Sequence, residues 1–325
     1  MLHSIDTVQR LIANGRKLFL AGSAESLAEL PRGTWIGGSI CYFMDQVGGI
    51  CTDDRIFVTE LPAQATAVEI RSYDTHELQA LYDDAPLNGF TFLLIPADAP
   101  FVEEFASHGP QCEGFLLKPM VGWVTGVPLA EIGKTKAIAV DGRTGASSSG
   151  KALAMHVSLP PGQVAELNIV NIFRQGNGDT ITFAESTFCA EECKVNGIRT
   201  NLAEYILDHN IDTRLPLTAD YCGSTVNVAL KDVDLTTKTV KFYGTVVADV
   251  EYRFAKPVLD YAGAFSQAVP KGRDAEFSCN CILNYLYGEL EGKWTGSAVG
   301  PVTFGEIAHL LLSQTLVQLR VHEVR

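Results

Sequence analysis

Apolar residues recur at helical spacing over residues 4–19, where Ile5, Val8, Leu11, Ile12, Leu18 and Phe19 share a face and Asp6 with Gln9 resembles a capping pair. The pattern predicts an amphipathic first helix. A shorter helix is expected over 24–30, stopped by Pro31. The run Gly33-Thr-Trp-Ile-Gly-Gly-Ser-Ile-Cys-Tyr-Phe-Met then turns β-branched and aromatic, as in a buried strand broken by Gly37-Gly38, where missing side chains let a backbone or a ligand approach. Residues 56–59 and 67–73 read as strands, the second setting Val68 and Ile70 against Glu69 and Arg71, so one face is wet. Helices then alternate with strands: a helix over 75–82, a buried strand over 89–95 ended by Pro96, a helix over 99–107, and a strand over 115–125 despite Pro119.

The stretch Asp141-Gly-Arg-Thr-Gly-Ala-Ser-Ser-Ser-Gly reads as a linker and sets an expected division into residues 1–145 and 151–325. Beyond it, strands at 152–159 and 165–173, a glycine turn at 175–179 and a strand at 180–184 make a meander. A helix over 201–209, a hairpin joining 225–230 to 239–252, and a helix over 258–269 complete the pattern. The expected fold class is α+β, with mixed β-sheets flanked by helices in two related αβ halves. No repeat of fixed period is visible, so any duplication is structural.

At 325 residues and 46% hydrophobic content the chain can bury a large core. Its net charge of −13, spread along the sequence, disfavours nucleic acid as a partner. The first twenty residues interleave Asp6, Gln9, Arg10, Asn14, Arg16 and Lys17 with apolar positions, unlike a secretory leader. No apolar run nears the roughly 20 residues that span a bilayer. A cytoplasmic protein without membrane partners is expected. The eight cysteines suit a reducing compartment, and Cys189-x-x-x-Cys193 with Cys279-x-Cys281 lacks the usual zinc spacing, so no metal and no cofactor are expected.

Candidate chemistry concentrates where polar groups interrupt apolar runs: Phe277-Ser-Cys-Asn-Cys-Ile-Leu-Asn-Tyr and Gly300-Pro-Val-Thr-Phe-Gly-Glu-Ile-Ala-His. Each unpaired polar group in a core costs about 1–3 kcal/mol, so Cys279, Asn280, Cys281, Asn284 and Glu306 need partners, whether backbone, one another or a ligand. A helix capped by Ser278 would set Cys279 in its first turn, where the dipole favours a thiolate. Glu306 either caps an apolar helix over 307–312 or points into a site. Gly37, Gly38 and Ser39 expose backbone N–H groups beside Trp35, although neither a nucleophile elbow nor a phosphate loop is matched. Asp220 and Tyr221 offer charge and directional hydrogen bonds to a small metabolite. His156, within an apolar strand, reads as a hydrogen-bonded core residue.

The block Gly300-Pro-Val-Thr-Phe-Gly-Glu-Ile, trailed by Gln314-Thr315-Leu316, resembles the C-terminal domain of the FIST sensory proteins. Cys279-Asn-Cys-Ile-Leu is similar to that family's cysteine-containing helix, and Trp35-Ile-Gly-Gly-Ser-Ile to a strand of its N-terminal domain. The whole length resembles a bacterial family carrying Trp-Ile-Gly-Gly, Leu-Pro-Leu-x-Ala-Asp-Tyr and Ser-Cys-Asn-Cys-Ile-Leu-Asn-Tyr-Leu-Tyr. The resemblance implies a non-enzymatic sensor that binds a small polar metabolite, an amino acid among the candidates, between its halves and relays occupancy to a separate signalling protein. The expected ligand-binding set is Trp35, Gly37, Gly38, Ser39, Asp220, Tyr221, Cys279, Asn280 and Glu306. Two alternatives stand beside it: an enzyme with Cys279 or Cys281 as nucleophile and His156 or His309 as base, and a haem-binding sensor.

Overall fold

The computed structural model describes residues 1–221, 224–270 and 275–323, without the side chains of residues 221 and 224. The architecture is mixed α+β, with seven α-helices among the described residues and strands gathered into four six-stranded sheets and one three-stranded sheet. The first sheet runs Leu2–Ser4, Arg55–Glu60, Leu18–Gly22, Trp35–Ser39, Ala139–Asp141, Ala146–Ser148 in spatial order. Alternation along its strands buries both faces. Leu18, Leu20, Trp35, Ile56 and Val58 face the helices Ile5–Ala13 and Ala24–Ala28 with Val8, Ile12 and Leu27, while Phe19, Ala21, Ile36 and Phe57 face the centre of the molecule.

The second sheet runs Leu310–Leu312, Glu306–Ala308, Met120–Thr125, Gly89–Pro96, Ala152–Ser158, Ala67–Tyr73. One face packs Leu93, Ile95, Ala154 and Ile307 against the helices Leu78–Asp84 and Phe101–His108. The third sheet runs Gln163–Val170, Leu316–Glu323, Phe277–Cys281, Gly300–Thr303, Tyr42–Asp45, Gly48–Cys51. The inner faces of all three sheets meet in one core. Phe19 stacks on Phe92 at 3.9 Å between ring centroids, and Trp123 stacks on Phe277 at 5.7 Å, so each sheet contributes a ring.

Residues 181–254 build a second body with its own core, in which Phe183 meets Phe242 and Tyr252 edge-on. Its entry and exit are zipped together: Gly176 N–H donates to Phe254 O at 2.9 Å and Lys256 N–H to Arg174 O at 2.9 Å.

Several expected elements change form. The first helix ends at Ala13, because Gly15 turns the chain at φ +72° and Leu18–Gly22 leaves as a strand. Asp6 and Gln9 form no capping pair; Ser4 is the N-cap and caps with no side-chain bond. The stretch over 141–150 is part of a hairpin, Ala139–Asp141 with Ala146–Ser148, whose turn is fixed by Asp141 Oδ1 accepting from Arg143 N–H at 2.9 Å. Strands from both sides of that hairpin share sheets. Ala152–Ser158 lies between Gly89–Pro96 and Ala67–Tyr73, Glu306–Ala308 pairs with Met120–Thr125, and Gly300–Thr303 with Tyr42–Asp45. Residues 1–145 and 151–325 are thus interlaced through their β-ladders.

The largest revision concerns the last fifth of the chain. Phe277–Cys281 is a strand and the helix begins only at Ile282, so Cys279 is not in a first helical turn. Phe277 and Cys279 alternate with Ser278 and Asn280, a period of two that pairing with Leu316–Glu323 enforces. Glu306 caps no helix either: residues 306–312 form a tight hairpin, with His309 at φ +58° in its turn.

Candidate functional site

Glu306 is fully buried, opposite Trp123 in the β-ladder and on the inner side of the second sheet. Its Oε2 accepts from Thr315 N–H at 3.2 Å and from the Thr315 hydroxyl at 2.9 Å, while Oε1 has no hydrogen-bond partner among the described residues. Burial pushes the carboxyl up to about 8, against the hydrogen bonds from the Cys281 thiol and Thr315, which hold it down. Asn284 Nδ2 donates to Asn280 Oδ1 at 3.0 Å and to Thr315 O at 3.4 Å, and Cys281 N–H reaches Thr315 O at 3.2 Å. Asn227 Nδ2 approaches Ser313 O at 3.4 Å and Gln314 O at 3.3 Å.

These groups converge on one feature, the buried turn 313–315 that links two strands through Gln314 at φ +54°. A turn sealed from water carries backbone donors and acceptors that need protein partners, and Glu306, Asn284 and Asn227 supply them. Cys279, Asn280 and Glu306 are therefore brought together, with Cys281, Asn284, Thr303 and Thr315 added. The other expected residues lie elsewhere. Trp35 packs under the first helix and donates its indole N–H to Pro31 O at 3.0 Å. Gly37 leaves room for Leu27, and Gly38 for Thr125 and Trp123 on the opposite face. Ser39 donates to Gly126 O at 2.8 Å and accepts from Ile138 N–H at 2.9 Å, tying the first sheet to the end of the second. Asp220 is exposed in the second body, and the side chain of Tyr221 lies outside the described residues, as does Cys222.

A crevice of about 380 Å³ opens where the first and third sheets meet. One wall is Phe57, Val58 and Thr59 with Met1 and Gln46; the other is residues 275–278, Trp294, residues 296–299 and Gln318. Its size suits a small metabolite. Gln318 is 3% exposed, stands opposite Ser278 in the ladder, and its Oε1 accepts from Asn168 Nδ2 at 3.2 Å. Its Nε2 and the Thr59 hydroxyl make no hydrogen bond to any described residue, which leaves both available to a guest. Ser278 donates to Val299 O at 2.6 Å and retains acceptor capacity. Trp294, 53% exposed, stands at the rim. These residues carry no joint signal in the sequence, because the two walls come from segments more than 200 positions apart; the one local signal is an aromatic following Gly292-Lys293.

The buried thiols are poorly suited to nucleophilic attack. Burial, reinforced by the Glu306 carboxyl, drives Cys279 and Cys281 well above the usual thiol range. Cys279 donates to Gly122 O at 3.6 Å. His156 holds Tyr73 through Nε2 at 2.7 Å and Thr91 through Nδ1 at 2.8 Å, and burial lowers it to about 4. His309 bonds Phe115 O at 3.3 Å. Neither histidine contacts a cysteine through these bonds. Among the described residues no group of three or more His, Cys, Asp or Glu is arranged to hold a metal ion. Among those residues no helix is long and apolar enough to cross a membrane.

Fold and site together define a layered α+β protein with a mixed polar and apolar crevice between two sheets. The chain belongs to the family of unknown function DUF6976, whose profile matches residues 3–322. Comparison with curated proteins gives no match.

Proposed function

We propose that this is a non-enzymatic, cytoplasmic binding protein of the sensory type, which takes a small polar metabolite into the crevice between the first and third sheets. The observation that carries the proposal is a pair of largely buried residues, Gln318 and Thr59, that line opposite walls of a cavity of metabolite size and whose amide Nε2 and hydroxyl make no hydrogen bond to a described residue. One wall comes from residues 1–145 and the other from 151–325, in keeping with a ligand held between halves. The FIST-like blocks support the same reading, and occupancy would be relayed to a separate signalling protein.

The test is a melting screen against amino acids and related polar metabolites. A true ligand raises the melting temperature by mass action, by about 2.7 kcal/mol of stability at a hundredfold excess over Kd. The shift should shrink in Gln318→Leu and Thr59→Val, which remove the two groups at similar volume, and persist in Asp220→Asn. A screen without any shift, or a shift indifferent to both crevice variants, refutes the crevice reading.

A further inference from the structure

The hairpin Tyr42–Asp45/Gly48–Cys51, at the edge of the third sheet, carries two thiols that the crevice does not use. Cys41 lies one residue before the first strand and is buried; Cys51 ends the second strand and is exposed. Their sulfurs are 3.7 Å apart. Backbone pairing maintains the approach: Thr52 N–H donates to Cys41 O at 2.8 Å, and Tyr42 stands opposite Cys51. We propose that Cys41 and Cys51 form a reversible disulfide, a redox-sensitive clasp closed by thiol–disulfide exchange with a low-molecular-weight disulfide of the glutathione type.

Exposure assigns the order of steps. Cys51 loses its proton and attacks one sulfur of the oxidant; a mixed disulfide forms as the oxidant's S–S bond breaks, and the departing thiolate takes up a proton. Cys41, deprotonated in turn, attacks the Cys51 sulfur, closes the protein disulfide and expels the second small thiol. Two protein thiols are oxidised and one small disulfide is reduced to two thiols, so no further reactant is required. Held within van der Waals reach, the buried partner meets the mixed disulfide intramolecularly. Burial raises both thiols, more strongly at Cys41, so exchange is slow near neutrality and accelerates with alkalinity.

The clasp sits behind the crevice wall. Gln46, in the hairpin turn, lines the crevice. On the next strand Gly49 N–H donates to Lys293 O at 3.2 Å, and Gly292 N–H donates to Gly49 O at 2.8 Å, immediately before Trp294. Closing the disulfide therefore alters a wall of the ligand site, a consequence that rests on the crevice reading; the disulfide itself does not.

Intact protein is incubated with oxidised glutathione, denatured, alkylated and digested for mass spectrometry. The expected result is a peptide joining residues 41 and 51, lighter by two hydrogens than its reduced parts, restored by reductant and lost in Cys41→Ser and Cys51→Ser but not in Cys112→Ser. Cys51 left capped by glutathione, both thiols alkylated as before, or a cross-link to another cysteine would overturn the proposal. The decisive reading is in wild-type protein, so misfolding of a variant does not obscure it. Coupling to the crevice is read by acrylamide quenching, since Trp294 is exposed whereas Trp35 and Trp123 are buried. Unchanged quenching in the oxidised form defeats the coupling alone, and a failed metabolite screen defeats the crevice alone.

Discussion

At the scale of single residues, two buried titratable groups oppose each other in their pH dependence. Glu306 rises from 4.5 unfolded to about 8 folded, so the native state holds its proton longer. Its contribution is fully present below pH 4.5 and is lost as pH rises through 8, at a limiting slope of about 1.4 kcal/mol per pH unit. His156 falls from 6.5 to about 4, so its contribution is present above 6.5 and is lost as pH falls through 4. Between pH 6.5 and 8 only Glu306 of the two titrates in its window. Glu306→Gln should therefore flatten urea-derived stability between pH 6.5 and 8; an unchanged slope would place the carboxyl at an ordinary value. The need for a partner at Glu306 was legible in the sequence, as one acid within an apolar run. Its partner was not, because the 313–315 turn becomes buried only when two sheets close over it.

At the scale of elements, backbone geometry separates two glycines that look alike in the sequence. Gly15 terminates the first helix at φ +72° with open space around its missing side chain, so Gly15→Ala should cost only backbone strain, about 1 kcal/mol. Gly122 lies inside a strand at φ +157°, and an added Cβ would sit 1.9 Å from Leu93 O across the parallel ladder. Gly122→Ala should cost at least about 3 kcal/mol or prevent folding, as read by chemical denaturation. Equal effects at both sites would contradict the ladder geometry. Strands with plain alternation, such as Ala67–Tyr73, were legible to the residue. Phe277–Cys281 was not, since a run of five followed by helical spacing fits either period until a neighbouring strand selects one.

At the scale of the whole molecule, two cores suggest two levels of cooperativity. The three-sheet core joins rings from every layer, whereas residues 181–254 pack around a separate cluster, and their links to the rest include hydrogen bonds at Asn227, Ala229 and Arg214. Hydrogen exchange should show the amides of 181–254 opening at lower free energy than those of 90–95 and 153–157. All three tryptophans lie outside 181–254, so their fluorescence should follow the three-sheet body alone. Protection that is uniform across both bodies would show a single cooperative unit. The α+β class was legible from the alternation of periods; the interlacing of residues 1–145 with 151–325 was not, because strand pairing between distant segments leaves no mark on local composition.

The sequence by itself determined the periodicities, the turns at glycine and the positions where a polar group would need a partner, since these follow from local backbone geometry and the cost of burying an unpaired dipole. Only the tertiary structure decided who the partners are. It assigned the polar set of the last fifth to a sealed turn, opened a crevice between strands far apart in the chain, and brought Cys41 and Cys51 within 3.7 Å. The sealed turn and the crevice arise from the packing of sheet on sheet, which no window along the chain contains, and the thiol pair from the register of a single hairpin.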